Sequence, residues 1–297
     1  MAMTKAPTTT TEDDITNETL RRFEGTPDPR LREIMLSLTR HLHGFVKEVQ
    51  LTEAEWFEAI KFLTATGQMC DANRQEFILL SDTMGVSMVV DLINHRKPAG
   101  ATESTVFGPF HRPGAATLPM GGNIATDDAA GGVPCVVFGR VADTSGRPIE
   151  NALLDVWQAN SEGFYDSQLE DPEKLRMRGF FRTGADGNYW FRTSRPVHYP
   201  IPTDGPVGRM LQATNRHPNR PAHVHFVVSA DGFEPVTTHV FDSIDPYLKS
   251  DAVFGVKDSL IVDFGNHEPG DELGRRFGMD TPFVTAEYDF VLKPAGR

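Results

Sequence analysis

PAHVHFVVSADGF, residues 221–233, is the stretch that decides the fold. Ala222–Val228 is β-branched and aromatic, the composition of a strand, and ADGF behind it is a glycine-bearing turn. The same grammar runs outward in both directions. Cys135–Ala142, Ala152–Gln158, Asn188–Thr193, Thr237–Phe241, Leu260–Phe264 and Thr285–Leu292 read as short strands, with DTSGRP and ADGN as turns between them. Short strands at that spacing predict an antiparallel β-sandwich rather than βαβ units.

Before about residue 105 the period changes. Leu31, Ile34, Met35, Leu38, Leu42, Phe45, Val46 and Val49 recur at steps of three and four, one apolar face of a helix. Thr52 and Glu55 form a capping box that opens a second helix carrying Trp56, Ile60 and Leu63. A third helical stretch runs from about Ala72 to Asn94 through Phe77, Leu80, Met84, Met88, Leu92 and Ile93, and RKPAG at 96–100 ends it. The polar, Thr-rich start predicts a disordered tail over residues 1–20. The expected chain is therefore α+β, with a tail over 1–20, a helical domain over 21–105 and a β-sandwich domain over 106–297.

Composition narrows the function classes. The 297 residues carry 29 Lys+Arg against 41 Asp+Glu, a net charge of −12, which argues against nucleic acid or an anionic membrane as the main partner. No apolar run reaches the 18 or so residues of a membrane span, since Asp91 interrupts Met84–Ile93. The first residues lack the apolar core of a signal peptide and are acidic, unlike a transit peptide, so the expected location is the cytoplasm. Cys70 and Cys135 form no disulfide framework and no metal motif.

Two His-x-His pairs remain. On the first helix a step of two turns His41 and His43 about 200° apart. On a strand the same step returns to one face, so His223 and His225 can converge on one metal, although a solvated strand face would accommodate such a pair as well. Carboxylate partners would suggest zinc or ferrous iron. Tyrosine becomes a ligand only beside a cation charged enough to deprotonate it. Tyr165 in EGFYDS and Tyr199 in VHYPIP lie in polar, turn-like surroundings, whereas Tyr189, beside Trp190 and Phe191, reads as sandwich packing.

GRPIENALLDVWQANSEGFYD (146–166), RGFFRTGADGNYWFRT (178–193), HYPIPTDGPVG (198–208) and RHPNRPAHVHFVVSADGF (216–233) together resemble the intradiol ring-cleaving dioxygenases. The resemblance covers the chain after residue 20. It implies a non-haem Fe(III) enzyme, one iron per chain, that opens an aromatic diol between its hydroxyls with O₂. The family's metal positions fall on Tyr165, Tyr199, His223 and His225, and its catalytic arginine on Arg220, with Tyr199 also acting as base. Pocket positions fall on Leu79, Val106, Gly108, Phe110, Pro200, Ile201, His239 and Val253, and Asp82 is the candidate for reading a third hydroxyl. The resemblance also implies a homodimer formed through the N-terminal helices, with an apolar tunnel able to hold a phospholipid. VFGPFH (106–111), TTHVF (237–241) and DPYLKSDAVFGVKDSL (245–260) are most similar to the branch that cleaves hydroxyquinol, benzene-1,2,4-triol. His239 stands where branches cleaving catechol or chlorocatechols usually carry Gln. Three alternatives stand beside this reading: catechol or chlorocatechol cleavage at the same site, a non-catalytic transthyretin-like β-sandwich binding module, and a zinc hydrolase using His223 and His225.

Overall fold

A computed structural model describes residues 10–71, 74–126, 128 and 131–296. By packing, the chain divides into two compact units, one up to Ala65 and one from Thr66 onward.

The first unit is helical: α1 (Glu12–Phe23), α2 (Pro29–Val49) and most of α3 (Glu53–Gln68). Helix α1 corrects the expectation of a disordered tail over 1–20. Thr11 and Asp14 cap it reciprocally, acids fill its first turn, and Arg21 and Arg22 fill its last, which satisfies both ends of the dipole. Residues 1–9 of that tail lie outside the described residues. Asp28 caps α2 by accepting from the N–H groups of Arg30 and Leu31, with Pro29 in the first turn. Thr52 and Glu55 form the capping box of α3. Helix α1 is tied to α2 by Thr16 with His43 (3.0 Å) and Lys47 with Asp13 (2.8 Å). His41 turns instead to the Ser37 carbonyl, so this His pair does not converge. The apolar stripe of α2 is uncovered: Leu31, Ile34, Leu38, Leu42 and Phe45 are all exposed, as are Trp56, Phe57, Ile60 and Leu63 of α3.

In the second unit the long helix expected from Ala72 to Asn94 is two helices, α4 (Glu76–Thr83) and α5 (Val86–Asn94). Gly85, at φ +74°, turns the chain between them, a left-handed conformation that a β-carbon would strain. Leu79 of α4 and Met88 of α5 are buried with Val106, Ile201 and Val253 and with Val207 and Leu211 of α6 (Pro206–Ala213). This packing draws α4 and α5 into the second unit, so the compact boundary precedes the change of sequence pattern near residue 105. Glu76 is fully buried, accepts from Val207 N–H at the start of α6 (3.1 Å), and pairs with Arg74 (2.9 Å).

The strands are β1 (Pro134–Asp143), β2 (Leu153–Trp157), β3 (Arg178–Arg182), β4 (Asn188–Ser194), β5 (Tyr199–Pro200), β6 (Asn219–Arg220), β7 (His223–Ser229), β8 (Val236–Asp242), β9 (Ile261–Val262), β10 (Gly265–His267), β11 (Phe283–Glu287) and β12 (Phe290–Leu292); a short helix, α7 (Glu272–Phe277), precedes β11. One sheet has the order β10-β11-β1-β12 with β4 on the other edge of β1, the second β3-β2-β7-β8-β9, and β5 pairs with β6. The core lies between the two large sheets. Val137 and Phe191 come from the first, and Leu154, Val156, Val224, Phe226 and Val240 from the second.

The sandwich is mixed rather than wholly antiparallel, because β1 pairs in parallel with β11 and β12, and β8 with β9. The single strand expected over Thr285–Leu292 is split in two along the edge of β1. Gly139 stands at the break, where a β-carbon would collide with the Tyr288 carbonyl.

Candidate metal centre

Alternation along three strands builds the floor of the site. In β2, Leu154 and Val156 enter the core while Trp157 faces outward; in β7, Val224, Phe226 and Val228 enter the core while His223 and His225 face outward. Trp157 and His239 of β8 are in register with His225 on either side. The Trp157 ring stacks on His225 at 4.6 Å and 12°, and His239 meets it edge-on at 4.1 Å.

Tyr165 descends on this floor from a loop and Tyr199 from the two-residue strand β5. Tyr165 follows β2 and is fixed by the next residue: Asp166 takes a fork from Arg178 (2.7 and 2.5 Å), which also donates to the Phe110 carbonyl. Tyr199 lies on β5 opposite Arg220 of β6. Gly163 permits the two segments to meet, since a β-carbon there would lie 2.9 Å from Tyr199 Cβ.

Four donor atoms close a ring. Tyr165 Oη lies 2.9 Å from Tyr199 Oη and 2.8 Å from His225 Nε2; His223 Nε2 lies 3.1 Å from His225 Nε2 and 3.5 Å from Tyr199 Oη. All four side chains are at most 3% exposed. A first-row ion with bonds of about 2.0–2.1 Å separates its ligands by roughly 3–3.5 Å, so the ring fits one ion. His223 Nδ1 donates to the Pro221 carbonyl at 2.6 Å, which leaves the Nε2 lone pair facing the ring. Burial, then the charge of Arg220, holds His223 well below the usual imidazole range; burial and then its imidazole neighbours do the same for His225, so both are neutral. Burial also pushes the Tyr165 phenol well up, as does Tyr199 beside it, while Tyr199 is raised by burial against the pull of Arg220. Two phenols that burial keeps protonated, beside two neutral imidazoles and, among the described residues, no thiolate or carboxylate in the ring, suit a highly charged cation able to ionise them.

Arg220 is buried with its Nη1 3.2 Å from His223 Nε2, and Asp251 grips its other side. His239 Nδ1 lies 3.4 Å from Arg220 Nη2, and the His239 ring stacks on His223 at 4.7 Å. One of its nitrogens lies within 4.8 Å of one from each of His223 and His225, but His239 makes no hydrogen bond to either tyrosine.

A cavity of about 350 Å³ is walled by Asp82, Ser87, Val106, Phe107 and Gly108 among others; none of the four ring residues lines it, and Gly108 is its link to the ring. Gly108 closes one end: at φ +77° its missing β-carbon would lie 3.3 Å from His225 Cε1. Asp82 is 4% exposed; burial raises its pKa, against Ser87 and Arg220, which lower it. Leu79, Val106, Ile201 and Val253 share one buried cluster. Phe110 instead stacks on Tyr165 at 4.3 Å, and Pro200 is exposed on β5 opposite Asn219. A larger cavity of about 640 Å³ is lined by Arg147, Asn151, Arg182 and Asp231 and contains none of these residues.

Trp157 and Asp251 are the site residues that sequence reading missed. Trp157 was available from the alternation in ALLDVWQA, since Leu154 and Val156 inward force it outward. Asp251 is 31 positions from Arg220 and carries no local signal.

Comparison with known proteins agrees with this architecture. Residues 106–294 match a family model described as dioxygenase, and residues 28–102 one described as catechol dioxygenase N terminus. A hydroxyquinol 1,2-dioxygenase of a Rhizobium species is 54% identical over 277 residues, 92% of each chain. A 6-chlorohydroxyquinol 1,2-dioxygenase of Cupriavidus pinatubonensis is 50% identical over 95% of this chain and 97% of its own. The solved structure of a hydroxyquinol 1,2-dioxygenase from Pseudomonas putida superposes with a TM-score of 0.89 at 52% identity, covering 96% of this chain and 99% of that one. Neither a non-catalytic binding module nor a zinc hydrolase accounts for matches of this extent. The chain belongs to the intradiol ring-cleaving dioxygenases.

Proposed function

We propose that this enzyme cleaves hydroxyquinol between its 1- and 2-hydroxyls with O₂, giving 3-hydroxy-cis,cis-muconate, and that Tyr165, Tyr199, His223 and His225 hold one Fe(III) per chain. The observation that carries the reading is the closed ring of two phenols and two imidazoles. Similarity to three hydroxyquinol or chlorohydroxyquinol dioxygenases supports the substrate class.

Bound there, iron(III) supplies Lewis-acid activation of the diol toward dioxygen. The chain's own residues do the rest. Tyr199 is the looser tyrosine, 3.5 Å from its histidine against 2.8 Å for Tyr165, and Arg220 favours its phenolate. It takes a proton from the substrate's second hydroxyl. Arg220, always cationic, faces the negative charge that develops on the ring. Leu79, Val106, Ile201 and Val253 exclude water around the ring edge, and Asp82 accepts from the third hydroxyl.

The exposed faces of α2 and α3 serve in this reading as a homodimer interface, with an apolar tunnel for a phospholipid-like molecule, and the enzyme works in the cytoplasm. No helix among the described residues is long and apolar enough to cross a membrane.

The test is metal analysis with visible spectroscopy of the purified protein, before and after anaerobic addition of hydroxyquinol. Stoichiometric iron, a tyrosinate-to-iron band and a shift on adding the triol are expected. Active protein with stoichiometric zinc and no visible band refutes the assignment.

A further inference from the structure

Arg220 brings a full positive charge into a site closed to water, and its aim depends on what holds it. Its side chain is 4% exposed and that of Asp251 2%. Asp251 Oδ1 accepts from Arg220 Nε at 3.1 Å and from Val253 N–H at 3.3 Å; Oδ2 accepts from Arg220 Nη2 at 3.2 Å and from Gly255 N–H at 2.9 Å. A carboxylate offers about four acceptor positions, and here all are filled. The carboxylate therefore cannot rotate, and its fork fixes the plane of the guanidinium.

With Nε and Nη2 engaged, Nη1 is the end left over, and it points at the donor ring, 3.2 Å from His223 Nε2. Gly255 completes the cradle. A β-carbon there would lie 2.9 Å from Arg220 Nη2, 3.1 Å from Thr105 Oγ1 and 3.2 Å from Asp251 Oδ2. Gly255 is not among the glycines at positive φ, so what the site uses is the missing side chain and not a special backbone. Backbone thus stands directly under the guanidinium, and any added methyl displaces it toward the ring or out of the fork.

We propose that Asp251 and Gly255 are positioning residues that aim Arg220 Nη1 at the bound diol, acting through Arg220 and not on the metal. This rests on the reading of Arg220 as the group that faces the substrate. Neither residue touches the four donors, so substitution there leaves the ligand set in place, and Asp251 bears on it only through its charge near Tyr199. A buried ion pair with a purely structural role would instead lower stability without altering how a diol binds.

The experiment uses the full-length, iron-loaded protein and three variants: Asp251→Asn, which keeps the shape and removes the charge; Gly255→Ala, which keeps every charge and crowds the guanidinium; and Arg220→Lys. Iron content and the resting visible band are measured first, then anaerobic titration with 4-nitrocatechol, then kcat/KM for hydroxyquinol. Asp251→Asn is expected to weaken nitrocatechol binding and lower kcat/KM by about ten- to a hundredfold, with iron and resting band retained. Gly255→Ala should move both in the same direction by a smaller factor. In the Arg220→Lys background Asp251→Asn should add less than about twofold, because the residue it acts through is already altered. Independent, multiplying effects of the two substitutions overturn the proposal. So does wild-type nitrocatechol affinity in Gly255→Ala, which also decides the matter if Asp251→Asn fails to fold. Wild-type protein that binds nitrocatechol but leaves hydroxyquinol uncleaved refutes the substrate assignment alone, since the titration still reads the aim of Arg220.

Discussion

Replacing Asp82 with Leu separates substrate choice from ring-opening chemistry. Asp82 lies on α4, 4% exposed, and walls the cavity that Gly108 closes against His225. A hydroxyl that loses a charged partner in a buried site forfeits about 1.5–3 kcal/mol, which is roughly ten- to a hundredfold in rate. Catechol has no third hydroxyl, so in the native enzyme it leaves the Asp82 carboxyl without a substrate partner, and in the Leu variant that penalty vanishes. The kcat/KM ratio of hydroxyquinol to catechol should therefore fall by at least ten- to a hundredfold, from losses on one substrate and relief on the other. The Asp82 interaction with Ser87 is lost, but the Ser81–Ser87 hydroxyl contact at 2.8 Å still links α4 to α5. Initial rates on both substrates, with the resting visible band as a control for intact metal binding, make the measurement. An equal loss on both substrates, or an unchanged ratio with iron retained, refutes the argument and moves recognition of the third hydroxyl elsewhere.

Three further outcomes are expected. Glu76→Ala orphans the buried Val207 N–H at the start of α6 while Arg74 keeps Asp204, so denaturant unfolding should show about 1–3 kcal/mol less stability; a loss under about 0.5 kcal/mol contradicts the role given to Glu76. Burial pushes the Tyr288 phenol up to about 12, so its contribution is full below pH 10, the unfolded value, and is lost as pH rises through 12. Unfolding at pH 9 and 11.5 should show a decline that Tyr288→Phe lessens by roughly 1–2 kcal/mol, and an identical decline in the variant counts against it. Placing Asp at both Leu38 and Phe45 should turn a dimer into monomer or aggregate in sedimentation, and a wild-type chain that is already monomeric at micromolar concentration removes the interface.

The strands and the His pair were legible because both are written in a period of two, which survives in a single sequence. Ala222–Val228 gave β7 within a residue at each end, and the same alternation put His223 and His225 on one face. Turn chemistry was less legible. Gly85 inside an apolar helical pattern reads as a tolerated residue until its positive φ divides α4 from α5, and Gly139 gives no sign that Tyr288 crosses it. Helix α1 is masked by composition: its apolar face is only Ile15, Leu20 and Phe23 in a polar segment that follows a Thr-rich start. Strand β3 was missed because RGFFR is short and charged at both ends. The tyrosines could not be derived from spacing, since Tyr165 reaches the histidines from a loop and Tyr199 from a two-residue strand too short to show a period; family resemblance, not periodicity, nominated them. Asp251 was invisible for a related reason, because its partner is fixed by tertiary packing alone.

The alternation of β7 has a consequence for how such an enzyme can diversify. Every second residue of that strand is a keystone of the sandwich, and the first two of the residues between are the histidines, so substitutions in its first half are constrained by folding and by chemistry at once. In the proposed reading the substrate-facing surfaces come from elsewhere: α4 and the Val106–Gly108 segment. These pieces can vary without disturbing the inter-sheet core. New substrate preferences can therefore accumulate on the periphery while the reaction itself is inherited unchanged, a separation of evolvable from frozen parts that is set by which way a strand's side chains point.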